Sequence, residues 1–221
     1  MGAAPPARRA RVSLAAAIAE LTTRDPVLAE LIDRVGPIKH RPRNDHGHFG
    51  ALVRAIVFQQ LAGAAALAIH RRVLAAVGDP LTPEAVLSTS DEALRGAGLS
   101  AGKLASLRDL STKVLSGEVV LDGAARLSDD EIVARLVTVR GIGRWTAEMY
   151  LMFELRRLDV WPVDDLGVRQ GYGLAWGVDP PPGPKALVPL GEPFRPYRSI
   201  VARYCWEAVA LSRQRNDPSL R

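Results

Sequence analysis

The chain has 221 residues, 48% of them apolar, which suffices for one large or two small folded domains and excludes a wholly disordered chain. It carries 29 Lys and Arg against 24 Asp and Glu, a net charge of +5 with a pI near 9.8, a balance that favours a polyanionic partner, nucleic acid above all. The single cysteine, Cys205, excludes an internal disulfide framework or a cysteine-ligated cluster, and no apolar run reaches the ~20 residues that span a bilayer.

In chain order, residues 1–12 read as a flexible basic tail ahead of a helix, and 13–221 as a helical domain in a cytoplasmic protein. Asp25 and Pro26 supply an N-cap and a first-turn proline for the next helix, and "HRPRNDHGH" reads as loop. Phe49 to Val77 is alanine-rich with an apolar stripe and is predicted as one long helix, closed by Gly78, Asp79 and Pro80. Thr82-Pro83 and Ser90-Asp91 start two short helices, and another runs up to Gly117. Ser128 and Glu131 form a capping box that opens a helix running into "LVTVRGIGRWTA". Helices are predicted over Arg144–Arg156, from Asp165 to Trp176 and over Pro196–Arg213, with "GVDPPPGPKALVPLGEP" as a proline-rich loop between the last two. No segment alternates as a strand would, so the fold class is all-α.

Gly141 and Gly143 bracket Ile142 in a tight turn between two helices. Free N–H groups at the start of the second helix suit an anion such as a phosphate. The carbonyls of Val137, Val139 and Ile142 could hold a monovalent cation, Na+ or K+. From the glycines alone, an ordinary helix–helix turn is an equal reading. Asp164 and Asp165 read by themselves as N-caps of the helix that follows. His40, His46 and His48 lack an ordered ligand spacing, which argues against a metal site.

"VRGIGRWTA" resembles the helix-hairpin-helix motif of DNA glycosylases. Downstream, "VWPVDDLGVRQG" falls where that superfamily has a proline-containing turn and then an aspartate. "FGALVRAIVFQQLAGAAA" is similar to a helix of the DNA-3-methyladenine glycosylase II family, and "AGLSAGKLASLRDLS" and "FRPYRSIVARYCWEA" to two further segments. The matches keep the family's order from Phe49 to Glu207. They depart from it at Arg140, where proline is usual, and at Ala62-Gly63.

The resemblance implies two helical subdomains with an active-site cleft between them, no N-terminal β domain, and the hairpin at about 128–156. It implies Asp165 as the catalytic carboxylate, with capping left to Asp164. A fixed negative charge would stabilise oxocarbenium character on the deoxyribose as the N-glycosidic bond breaks. Members that also cut the backbone carry a lysine two residues after the second glycine; here Trp145 stands there, and all four lysines (Lys39, Lys103, Lys113 and Lys185) lie elsewhere. A monofunctional enzyme that leaves an abasic site is therefore expected. Trp145, Trp206, Met149 and Phe58 are its expected base pocket, where an electron-rich ring suits a cationic methylated purine. Gly141, Gly143, Arg144, Thr146, Gln59, Gln60 and Leu61 are the expected DNA contacts, with Gln60 or Leu61 filling the gap left by the flipped base. Arg140 and Arg169 are further candidates for phosphate. The expected partner is double-stranded DNA bearing damaged bases, bound by a monomer, with neither organic cofactor, iron–sulfur cluster nor membrane involved. A glycosylase for deaminated or oxidised bases, where Met149 replaces a tyrosine of some members, and a non-catalytic DNA-binding module are the competing readings.

Overall fold

The computed structural model describes residues 12–61 and 63–215. Among them the chain forms α1 (Leu14–Arg24), α2 (Pro26–Val35), α3 (Gly47–Phe58), α4 (Gly63–Val77), α5 (Pro83–Ser88), α6 (Asp91–Gly96) and α7 (Ala101–Leu115). These are followed by α8 (Asp129–Leu136), α9 (Arg144–Met149), α10 (Leu166–Trp176), α11 (Pro184–Leu190) and α12 (Arg198–Arg215), with no β-strand among the described residues. The fold is all-α, as expected. The predicted basic tail lies, apart from Val12, outside the described residues. His40–Val160 makes one compact unit, and the chain on either side of it makes another.

In the outer unit, local chemistry sets the first helices. Ser13 caps α1 by accepting from the Ala16 N–H at 3.1 Å. Asp25 caps α2 through Oδ1, which accepts from the Leu28 N–H at 2.7 Å, and Pro26 occupies the first helical position, where no N–H is needed. The unit then closes around α10 and α12. They meet backbone to backbone: a Cβ on Gly171 would sit 1.9 Å from the Cys205 carbonyl oxygen. Val168, Tyr172, Ile200, Val201 and Tyr204 are buried around this crossing. Each fully buried aliphatic side chain contributes about 1.5–3 kcal/mol. Tyr172 stacks on Trp176 with ring centroids 4.4 Å apart, and the Trp176 indole N–H donates to Asp25 Oδ2 at 3.2 Å, tying α10 to the start of α2.

In the inner unit, Leu52, Ile56, Leu94, Leu107, Leu110, Leu136 and Leu151 are buried. Thr82, Ser90, Ser100 and Ser128 each cap the helix they precede, and Ser128 with Glu131 forms the predicted capping box.

Three predicted elements differ. The helix expected from Phe49 to Val77 is two, because Gln59 is extended (ψ 133°) and Gln60 is left-handed (φ +55°). Alanine and glutamine are good helix formers, but propensity is a weak bias that tertiary contacts override. The Gln59 amide instead donates to the Gly141 carbonyl, 82 residues away, at 2.9 Å. The helix expected over Arg144–Arg156 leaves α geometry after Met149. Tyr150–Glu154 is a π turn, with the Leu155 N–H donating to the Tyr150 carbonyl at 3.1 Å. Tyr150, Leu151, Met152, Glu154 and Leu155 are all buried, more of one turn than a 3.6-residue period can direct inward. The proline-rich stretch predicted as loop contains α11, for which Pro184 starts the helix and fully buried Leu187 anchors it.

Candidate active site and nucleic-acid interface

The hairpin belongs to the inner unit. After α8, the Val139 N–H donates to the Leu136 carbonyl at 3.1 Å and the Ile142 N–H to the Val139 carbonyl at 3.0 Å, so the turn tightens stepwise. Val139 and Ile142 point inward and are buried. Gly141 has φ +76°, and a Cβ there would lie 2.5 Å from Ser106 Oγ, so both the backbone angle and the packing on α7 call for glycine. Gly143 is extended, at φ −91°, and starts α9 without a side-chain cap.

Side chains elsewhere in the unit hold this turn by its backbone. Asp109 Oδ2 accepts from the Arg140 N–H at 2.6 Å, and Lys113 Nζ donates to the Thr138 carbonyl. Lys113 also lies 3.8 Å from Asp109 and 3.3 Å from Glu118. Gln59, besides its bond to Gly141, lies 3.4 Å from the Thr146 hydroxyl. Thr146 is buried and Gln59 half-buried, so both support the hairpin from within. The sequence carries no local signal for Asp109 or Lys113, because their bonds reach 31 and 25 residues along the chain. Gln60 and Leu61 are exposed, as is Trp145 at 45%. Arg144 Nε donates to Glu148 Oε1 at 3.0 Å, and Arg140 is exposed.

Met149 and Phe58 line one cavity of the inner unit. The Arg54 guanidinium lies over the Phe58 ring, 3.8 Å from its centroid, so one face of that ring is already occupied. His48 Nδ1 lies 3.1 Å from Glu154 Oε1 without hydrogen-bond alignment. Among the described residues no three His, Cys, Asp or Glu side chains form a group that could hold a metal ion.

The carboxylate belongs to the outer unit. The Asp165 N–H donates to the Pro162 carbonyl at 3.0 Å, which turns the chain into α10. Asp165 is itself the N-cap: its Oδ1 accepts from the Val168 N–H at 2.7 Å. This corrects the expected division of labour, in which Asp164 capped the helix; Asp164 is exposed. Position decides it, since a cap must stand directly before the first helical residue. The Trp206 indole N–H, from α12, donates to the same Oδ1 at 2.9 Å. Asp165 is 8% exposed. Gly167 completes the arrangement: a Cβ there would lie 2.8 Å from Trp206 Cδ1 and 3.1 Å from Asp165 Oδ1. Burial, and after it the nearby Asp165 charge, pushes the Cys205 thiol far above its ordinary range, so it stays protonated. The expected base-pocket tryptophans thus fall in different units, Trp206 with the carboxylate and Trp145 with the hairpin.

Residues 53–194 match the model of the HhH-GPD superfamily base excision DNA repair proteins. The chain belongs to this superfamily. It is 37% identical to DNA-3-methyladenine glycosylase 1 of Schizosaccharomyces pombe over 73% of this chain and 72% of that one. A crystal structure of a Bacillus halodurans DNA-3-methyladenine glycosidase superposes with a TM-score of 0.81 at 34% identity, covering 90% of this chain and 91% of that one. The S. pombe 3-methyladenine DNA glycosylase in complex with abasic DNA superposes with a TM-score of 0.75 at 34% identity, covering 86% and 95%. The chain is thus a base excision repair DNA glycosylase of the HhH-GPD superfamily.

Proposed function

We propose that this HhH-GPD protein is a monofunctional glycosylase of the 3-methyladenine II type, removing alkylated purines such as 3-methyladenine and leaving an abasic site. The observation that carries the reading is Asp165, a buried carboxylate oriented by two N–H donors on one oxygen. In the reaction the bond from C1′ to the base nitrogen breaks and its electron pair leaves with the base. Water then adds at C1′ and gives up a proton. Asp165 stabilises the oxocarbenium character between these events and orients the water. A methylated purine is cationic before it leaves, which suits the exposed indole of Trp145. Trp145 has no amine and forms no imine, which supports hydrolysis without strand cleavage.

The hairpin and the exposed Gln60 and Leu61 would engage double-stranded DNA, Leu61 or Gln60 entering the stack. The chain would act as a monomer in the cytoplasm; among the described residues no helix is long and apolar enough to cross a membrane. The carbonyls of Val137, Val139 and Ile142 are neutral, hard donors that would hold Na+ or K+ beside the hairpin.

The test is base release from methylated genomic DNA, wild type beside Asp165→Asn, with products separated by chromatography. Release of 3-methyladenine or 7-methylguanine by the wild type, reduced ~10²–10³-fold in the variant, is expected. Release of only deaminated or oxidised bases would overturn the substrate class. Full activity of Asp165→Asn would overturn the catalytic assignment. Strand nicking without alkali, or a borohydride-trapped adduct, would overturn the monofunctional reading.

A further inference from the structure

The inner unit holds a cavity of about 680 Å³ formed by the loop before α3, by α3, by α4 and by the π turn. Arg41, Arg43, Arg54 and Arg71 line it. Among the described residues, no carboxylate pairs with any of these four side chains. Two carboxylates do reach the wall: Glu154 is set against His48 at 3.1 Å, and Asp45 is exposed. Met149 and Phe58, expected in the base pocket beside Trp145 and Trp206, line this cavity, and its cationic balance disfavours a positively charged methylated base there.

Two of the cations sit over aromatic rings. Arg54 lies over Phe58, and the Arg41 guanidinium lies over Phe153, 4.2 Å from the ring centroid. Stacking occupies the face of a guanidinium and leaves its N–H edge for an acceptor in the plane. Two buried polar atoms at the wall also lack a partner within the protein: Tyr150 Oη, on a residue 5% exposed, and His70 Nε2, on a residue 7% exposed. Burial keeps the Tyr150 phenol well above its ordinary range, so it stays a donor. Burial, then the charges of Arg54 and His46, holds His70 below its ordinary value, so its ring is neutral. Planar cationic donors beside unsatisfied buried hydrogen-bonding groups are the chemistry that recognises a phosphate group.

We propose that this cavity binds a phosphate group, supplied by the DNA backbone. The choice of source rests on the glycosylase reading; the phosphate chemistry does not. The experiment uses the full chain as wild type, as Arg43→Gln with Arg71→Gln, and as Tyr150→Phe. Arg43 and Arg71 are exposed and the phenylalanine keeps the ring, so thermal unfolding should not change. Each protein is titrated calorimetrically with inorganic phosphate, then with undamaged duplex DNA at several salt concentrations. The double variant is expected to bind phosphate at least tenfold more weakly, and Tyr150→Phe several-fold more weakly. The slope of log K against log salt should become shallower by about 0.9 for each phosphate that the variant no longer neutralises. Loss of phosphate binding with an unchanged DNA slope keeps the site and makes a free phosphate ester its ligand. No phosphate binding by the wild type, or equal binding by all three proteins, overturns the site. Base release by the wild type is measured separately, so failure of the glycosylase reading is distinguishable from failure of this one.

Discussion

Two aspartates of the outer unit begin helices in nearly the same way. Asp25 caps α2, Asp165 caps α10, and each accepts a bond from a tryptophan indole. They differ in how the bonds are shared. Asp25 gives Oδ1 to the helix and Oδ2 to Trp176. Asp165 takes both bonds on Oδ1, so this pair of bonds does not draw on Oδ2. The residue two places after each aspartate accompanies the difference. Val27 follows Asp25, whereas Gly167 follows Asp165 and leaves room for the indole against the capping oxygen. One capping device therefore yields a structural joint in one place and a buried, oriented carboxylate in the other.

The largest effect should separate the two sites outright. Asp165→Asn is expected to lower base release ~10²–10³-fold while leaving the unfolding midpoint near wild type, since asparagine caps helices as well as aspartate does. Asp25→Asn should leave base release unchanged. Gly167→Ala attacks the difference itself. Its methyl group must displace the indole or the carboxylate, and a shift approaching 1 Å costs up to ~10²-fold. The expected signature is a fall in kcat with little change in KM, and a variant that kept wild-type kcat would break the comparison.

The tryptophans give a smaller, paired test. Trp206→Phe and Trp176→Phe each remove a hydrogen bond to a carboxylate, about 1.5–3 kcal/mol in stability by urea unfolding. Only Trp206→Phe should also slow base release. The smallest effect on activity is that of Asp25→Ala, which loses both the cap and the acceptor of the Trp176 indole, so it costs at least as much stability as Trp176→Phe, about 1.5–3 kcal/mol, while base release is unchanged.

The sequence made part of this arrangement visible and hid the rest for physical reasons. Caps are local, so Asp25-Pro26, Thr82-Pro83 and the Ser128–Glu131 box could be read directly from neighbouring residues. The hairpin was legible because Gly141 stands where φ is positive. Which of two adjacent aspartates caps α10 was not legible, since it depends on where the turn after Pro162 delivers the chain. The break at Gln59 and Gln60 was hidden because residues that favour helix are overruled by the distant Gly141 carbonyl. The braces from Asp109 and Lys113 form only once α7 lies on the hairpin, and the cavity arginines, which sit on consecutive elements, gain the Phe153 wall only from the distant π turn.

The double use of Asp165 Oδ1 ties two kinds of selection together. A substitution such as Asp165→Ala removes the carboxylate and, with it, the cap of α10, at about 0.5–2 kcal/mol, together with the acceptor of the Trp206 indole. A loss of that size changes the steady-state abundance of a marginally stable protein several-fold, through proteases that act on its unfolded fraction. On the proposed role of Asp165, a single change that removes the carboxylate and the cap together is expected to lower activity and abundance at once, so that an inert copy would occupy less of the genome than the working one.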